Sequence, residues 1–205
     1  MKVFRFVFYV ILIGVVSCAE VGTESLEERT NLEMALIGYN IPANTEAPLR
    51  HSKLVKLNIS LDQAFELIAY DLPSWFDGMD SLSYYQGDEQ IEQGAVKSGS
   101  YRIAMIDGQT LIENINGFKE GSYVACSYDK ARSEADLSVT EHLSVMTLDE
   151  VEFGDTIVSW HVYYNVAEGT ELGFAAEMMS NIMDQSIENL IIDHGGKRLE
   201  SEFID

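Results

Sequence analysis

From residue 49 onward, apolar and polar residues alternate in short segments that are separated by turn-forming residues. Alternation with a period of two predicts β-strands that bury one face. The predicted strands cover residues 49–59, 81–86, 100–106, 110–117, 122–128, 137–148 and 156–166. Asp107-Gly108 joins two of these strands and is typical of a two-residue hairpin turn.

Two segments show helical spacing instead. Ser60 followed by Gln63 has the capping-box pattern that begins a helix, and apolar residues then recur at helical spacing until Pro73. A longer helical pattern runs from about residue 171 to 199, and His194-Gly195-Gly196 predicts a C-terminal break near its end. A strand, a helix, a meander of strands and one long terminal helix predict the α+β class.

The first eighteen residues have the pattern of an export signal. Lys2 and Arg5 precede an apolar run over residues 6–16, which is shorter than the about 18 residues of a membrane-spanning helix. Val15-Val16-Ser17-Cys18 resembles the bacterial lipobox, whose cysteine is lipidated and becomes the mature N-terminus. We therefore predict a signal peptide over residues 1–17 and attachment of acyl chains such as palmitate at Cys18. The alternative is an ordinary secretory signal with an incidental cysteine.

The segment after this cysteine is polar and Glu-rich, apart from an apolar island at residues 32–37. We predict that residues 18–48 are the lipidated cysteine and an acidic tether to the folded domain. The alternative is an ordered N-terminal extension that includes a short helix. Pro42 and Pro48 mark the boundary before a single domain that spans residues 49–205.

Composition removes several classes of function. The formal net charge of -21 argues against nucleic acid as a partner, because a phosphate-binding surface needs a basic patch. The four histidines have no close metal-ligand spacing, and the chain has no G-x-S-x-G nucleophile elbow. Cys126 lies in an alternating segment, where a buried structural thiol is expected. We therefore predict no metal, no cofactor and no catalytic residue, and an enzyme is the less expected outcome.

Five local motifs occur in an order that carries a family resemblance. They are SLDQAFELI at 60–68, LPSWF at 72–76, GAVKSGSYR at 94–102, LIE at 111–113 and TIVSWHV at 156–162. In order and spacing they resemble the START-like (SRPBCC) superfamily, most closely its polyketide cyclase/dehydrase and lipid-transport branch, over roughly residues 53–199. The resemblance implies a helix-grip fold, in which a curved antiparallel sheet surrounds a long C-terminal helix and leaves a cavity for an apolar ligand. The Glu-rich segment before the first strand departs from this pattern.

Strand alternation within that fold selects the residues that are expected to line the cavity. Alternate residues of the 156–166 strand share one face, so the Trp160 face is expected to point at the helix and His161 to face solvent. The predicted ligand-binding residues are Trp75, Tyr101, Glu113, Tyr123, Val158, Trp160, Val162, Tyr164, Met179 and Met183. Tyr101, Glu113 and Tyr123 are the candidates for polar contacts with the ligand. The alternative is that the apolar residues only fill a core and that Glu113 is a strand carboxylate that is either solvated or in a salt bridge, with Arg102 as the candidate partner.

Three functions are compatible with these features. The first is an exported lipoprotein, held to a membrane by its N-terminal lipid, that binds a lipid, an isoprenoid or a polyketide-like molecule. The second is an interaction protein of the cell envelope with a filled core. The third is a cyclase or dehydratase on an aromatic or polyketide-like substrate, which needs a polar cavity residue with a shifted pKa. The predicted location is the cell envelope, and Ala19 after the cysteine favours the outer membrane if the source is Gram-negative.

Overall fold

The computed structural model describes residues 25–151 and 154–199. Its helices are α1 (Leu26–Leu36), α2 (Leu61–Ala69) and α3 (Leu172–His194), with 3-10 turns at Ile41–Ala43, Leu72–Ser74 and Gln93–Ala95. Its strands are β1 (Leu49–Leu57), β2 (Met79–Gln86), β3 (Glu89–Ile91), β4 (Tyr101–Ile106), β5 (Gln109–Lys119), β6 (Tyr123–Tyr128), β7 (Val139–Glu150), β8 (Thr156–Val166) and β9 (Gly196–Arg198). The predicted signal peptide and Cys18 lie outside the described residues. Among the helices that are described, none is long and apolar enough to cross a membrane.

The nine strands of the described region form one curved antiparallel sheet in the order β3-β2-β4-β5-β6-β7-β8-β1-β9. The predicted hairpin at Asp107-Gly108 is confirmed, since both residues have positive φ (49° and 76°), as this turn requires. The inner face of the sheet packs against α2 and α3 around one large apolar core. The predicted α+β helix-grip fold is therefore confirmed.

A capping box begins the inner helix α2, and a glycine ends the inner helix α3. At α2, the Gln63 amide N–H donates to the Ser60 hydroxyl and the Gln63 side chain accepts from the Ser60 amide, which completes the predicted capping box. Helix α3 ends at His194 and not near residue 199, because Gly195 (φ 69°) terminates it and β9 then pairs with β1. Lys53 of β1 fixes α3 by an ion pair with Asp184 at 3.1 Å.

The residues ahead of β1 are folded, in contrast to the predicted tether. A capping box between Ser25 and Glu28 begins α1. The segment packs on the outer face of the sheet and forms a second apolar cluster, which contains Met34, Tyr39, Ile41, Ala47, Leu49, Tyr123, Ala125, Leu143, Val145 and Tyr163. We call residues 25–48 the N-terminal extension. For these residues the tether prediction is wrong and the alternative of an ordered extension describes them.

The same extension corrects the expectation for His161. Its side chain does point to the outer face of β8, but only 4% of the residue is exposed. Leu26 and Thr30 of α1 lie over the same part of the sheet as His161 and Ser52. The prediction of a solvent-facing histidine is wrong because it treated the outer face as uncovered.

Candidate functional site

A cavity of about 350 Å³ lies between the inner face of the sheet, α3 and the segment around residues 72–79. This volume is within the range of about 300 to 1,000 Å³ that is typical of small-molecule sites. Most of the lining is apolar and includes Leu72, Leu111, Met146, Trp160, Val162 and Met179. Two exposed carboxylates, Asp77 and Asp107, also border the cavity. The shape and lining are those of a site for a small, mainly apolar molecule.

A buried ion pair forms a polar part of the wall. Arg102 of β4 and Glu113 of β5 face each other across the two strands, and the Arg102 Nε atom donates to the Glu113 Oε2 atom at 2.7 Å. The two residues are 5% and 6% exposed. Burying a lone charge is very costly, so this pairing is what makes both charges tolerable in the core. The alternative that Glu113 is held in an ion pair with Arg102 is what the structure shows.

His142 and Ser144 add two neutral polar side chains from β7. The β7–β8 pairing is irregular between Thr140 and Leu143, and His142 lies within this interval. His142 and Ser144 both face the cavity. The Ser144 hydroxyl accepts a hydrogen bond of 2.8 Å from the indole Nε1 atom of Trp160. Burial lowers the pKa of His142, so its imidazole is neutral near physiological pH.

Four of the predicted site residues line this cavity: Glu113, Trp160, Val162 and Met179. Trp75, Val158, Tyr164 and Met183 belong to the same inner core but lie behind the lining. Trp75 supports the wall, because its ring packs edge-on against Trp160 at 6.1 Å and its indole N–H donates to the Leu67 carbonyl. The Tyr164 hydroxyl pairs instead with the His51 imidazole at 3.0 Å.

Two predicted polar contacts lie on the wrong side of the sheet. Tyr123 belongs to the outer cluster, where its ring lies 5.3 Å from that of Tyr39. Tyr101 stacks on Tyr85 at 5.2 Å, and the Arg132 guanidinium lies 4.7 Å from the centre of its ring. Neighbouring residues of a strand point to opposite faces, so Tyr101 points away from the cavity because the adjacent Arg102 points into it. Neither tyrosine can contact a ligand in this cavity.

The sequence reasoning did not select Arg102, His142 or Ser144 as cavity residues in their own right. Their spacing from apolar core residues was available as a signal, since Arg102 precedes Ala104 by two positions, Ser144 precedes Met146 by two and His142 precedes Met146 by four. Polar residues at inward positions of a strand are uncommon and mark either a buried network or a site.

Other chemistry in the described residues is limited. No three His, Cys, Asp or Glu side chains within 25–151 and 154–199 are grouped as a metal site requires. Cys126 is buried in the inner core, and burial raises the pKa of its thiol to about 12. A thiol with this pKa is not a nucleophile near neutral pH.

Comparison with known proteins agrees with the fold. No protein-family model and no curated protein matches the sequence. Solved structures do match, and one is the protein XoxI from Bacillus cereus, with a TM-score of 0.57 and 20% identity over 71% of this chain and 95% of that chain. A START superfamily protein from Mycobacterium smegmatis has a TM-score of 0.56 and 9% identity over 72% and 97% of the two chains.

A plant protein shares the same architecture. The ginseng major latex-like protein 151 from Panax ginseng has a TM-score of 0.51 and 16% identity, over 70% of this chain and 95% of that chain. At these identities the similarity shows the fold alone, and the fold is START-like.

Proposed function

We propose that this protein binds a small apolar molecule in the cavity between the sheet and α3, and that it does so outside the cytoplasm, anchored by acyl chains on Cys18. The cavity of about 350 Å³ is the observation that carries the binding proposal. Protein interiors are normally packed to crystal-like density, and leaving apolar walls without contacts is destabilising. A bound apolar molecule restores those contacts. The solved structures have a similar START-like fold, and this fold is suited to an apolar ligand, which supports the proposal.

The same cavity disfavours the alternative of an interaction protein with a filled core. That alternative needs side chains to occupy the space between the sheet and α3. Met183 and Ile187 of α3 do fill one part of the core, but Met179 borders open space. A ligand-binding function therefore gives this cavity a role, whereas the filled-core alternative gives it none.

A matched pair of substitutions tests the binding proposal. Leu137 is half-buried in the cavity lining, and Leu54 is half-buried on the opposite face of the sheet. We expect Leu137→Trp to lower the affinity for the neutral apolar dye N-phenylnaphthylamine by about tenfold or more, because the indole occupies the ligand volume. Leu54→Trp should bind the dye as the wild type does. Equal binding by both variants would contradict a ligand site in this cavity.

The anchoring proposal depends on the N-terminal sequence and has its own test. Cells that express the full chain are fed a labelled fatty acid, and the protein is then isolated. We expect label on the wild type and on Cys126→Ser, whose thiol is buried in the core, but none on Cys18→Ser. Label that persists on Cys18→Ser would show that this cysteine is not the acylated residue.

The polar groups in the cavity wall give one reason to test for catalysis as well. A neutral imidazole and a carboxylate, His142 and Glu113, both line the cavity, and such groups can act as acid and base. If the protein is a cyclase or dehydratase, a compound recovered from His142→Gln should be converted on incubation with the wild type and not with the variant, and the product is detected by its mass or its chromatographic retention. An unchanged compound supports binding without chemistry.

A further inference from the structure

His142 is a buried polar group for which no described residue supplies a hydrogen-bond partner. The residue is 6% exposed and lines the cavity. Its Nδ1 atom is buried and has no hydrogen-bond partner, and its ring makes no hydrogen bond within the described residues. The ring of Tyr128 meets the His142 ring edge-on, with 6.5 Å between the ring centres. Such an unsatisfied group costs free energy unless something else in the site pairs with it.

The charges around His142 determine what kind of group that partner is. The positive charge of Arg102 is balanced by Glu113 at 2.7 Å. The imidazole of His142 is neutral because burial lowers its pKa, and the nearby thiol of Cys126 is also neutral. This region therefore has no net charge to offer an ionic ligand. Asp77 and Asp107, which border the cavity, further disfavour an anion.

A hydroxyl group is the partner that fits this environment. A neutral imidazole has one nitrogen that donates and one that accepts, and a hydroxyl can both donate and accept. It can thus pair with whichever nitrogen faces the ligand, whereas a carbonyl oxygen can only accept. Beside His142, a carboxylate or an ammonium group would have to give up its hydration with no opposite charge left there to pair with it, since Asp77 and Asp107 are the exposed carboxylates of the lining.

We propose that the ligand is an uncharged apolar molecule that carries a hydroxyl group, and that His142 binds this hydroxyl. This inference rests on the proposed function of the cavity and specifies the class of ligand. His142 is then a specificity-determining residue: the apolar walls supply most of the affinity, and the imidazole selects the head group.

Three probes with the same ten-carbon chain test the head-group selection in the wild-type protein: decanol, decanoate and decylammonium, near neutral pH. Trp75 and Trp160 are the two tryptophans of the chain and lie at or behind the cavity wall, so their fluorescence reports binding. We expect decanol to bind at least about tenfold more tightly than either ion. If an ion binds as tightly as decanol, this inference is overturned while the binding function stands. If none of the three binds, both are overturned.

Variants at two histidines then test the role of the imidazole. We expect His142→Phe to lower the affinity for decanol about tenfold and to leave the weak binding of decanoate unchanged, because only the hydroxyl loses its partner. His142→Gln keeps a donor and an acceptor and should recover most of the decanol affinity. His161→Phe makes the same change on the outer face and should bind decanol as the wild type does. Unchanged decanol affinity in His142→Phe would show that His142 does not select the ligand.

Discussion

The buried side chain of His161 makes the stability of this protein depend on pH. Burial lowers the pKa of His161 from 6.5 to about 4. Between these values the unfolded chain takes up a proton that the folded chain does not, so stability falls as the pH falls through this window. The contribution of His161 to that loss is about 3 kcal/mol in total.

Urea unfolding of the wild type and His161→Gln over a series of pH values measures this contribution. We expect the wild type to lose stability relative to the variant between pH 6.5 and about 4, the interval over which the pKa of His161 is shifted. Parallel stability curves for the two proteins would contradict a neutral, buried His161.

The ion pair in the cavity wall gives a second prediction at the residue scale. Glu113→Gln leaves the buried Arg102 without its counter-charge, and we expect the free energy of unfolding to fall by about 3 to 5 kcal/mol. Replacing both partners, as in Arg102→Met with Glu113→Leu, removes both charges and should recover most of that loss. Denaturant unfolding measures all three proteins. If Glu113→Gln were as stable as the wild type, that result would contradict the ion pair between Arg102 and Glu113.

The sequence could predict which face of the sheet a residue points to only in strands with one buried face. Alternation placed Trp160 and Val162 on the inner face of β8, as the structure shows. It could not show that Tyr123 belongs to the outer face, since the sheet is apolar on both sides there. An outer face that is itself covered removes the contrast on which the pattern depends.

The N-terminal extension covers the outer face of the sheet, and its close packing against the sheet depends on one glycine. A Cβ atom at Gly117 of β5 would lie 2.5 Å from the Tyr39 Cε2 atom and 2.9 Å from the Tyr123 Cε2 atom. We therefore expect Gly117→Ala to displace the extension and to lower stability by about 1 to 3 kcal/mol. Gly173→Ala, which meets open space on α3, should be neutral or slightly stabilising.

Thermal unfolding and limited proteolysis of these two variants test the role of the extension. Arg29 of α1 is already exposed, but trypsin cuts there only when the helix unfolds locally. Displacement of the extension favours that unfolding, so Gly117→Ala should be cut at Arg29 faster than the wild type. Equal protection of the two proteins would show that the extension does not need this close approach.

Elements with strong local signals were predictable, and those held by tertiary contacts were not. The capping box of α2, the hairpin at Asp107-Gly108 and the full span of β8 could be read from sequence. The three-residue strands β3 and β9 are too short for a visible alternation. Helix α1 has no clear apolar stripe, and two of its leucines, Leu32 and Leu36, are exposed. It is held by contacts of Met34 and the turn after it with the sheet.

At the scale of the whole molecule, the sheet separates two environments. Its inner face, with α2 and α3, surrounds the cavity, and its outer face is covered by the N-terminal extension. The order of elements predicted the α+β class, and the family resemblance of five local motifs implied the helix-grip fold. The cavity was not predictable to the same degree, because Trp, Met and Val residues have the same pattern whether they fill a core or line a space. Only the positions of α3 and the segment before β2 decide which residues border the opening.

The central claim is that this cavity holds an apolar molecule, and native mass spectrometry of the protein tests it most directly. Residues 19–205, which contain every described residue, are exported in the protein's own cells behind a signal peptide without a lipobox, are isolated without detergent and are also measured after incubation with a lipid extract of those cells. We predict a discrete additional mass that is lost on denaturation and is reduced or absent in Leu137→Trp. A mass equal to that of the covalent protein alone, both before and after the incubation, would contradict the account.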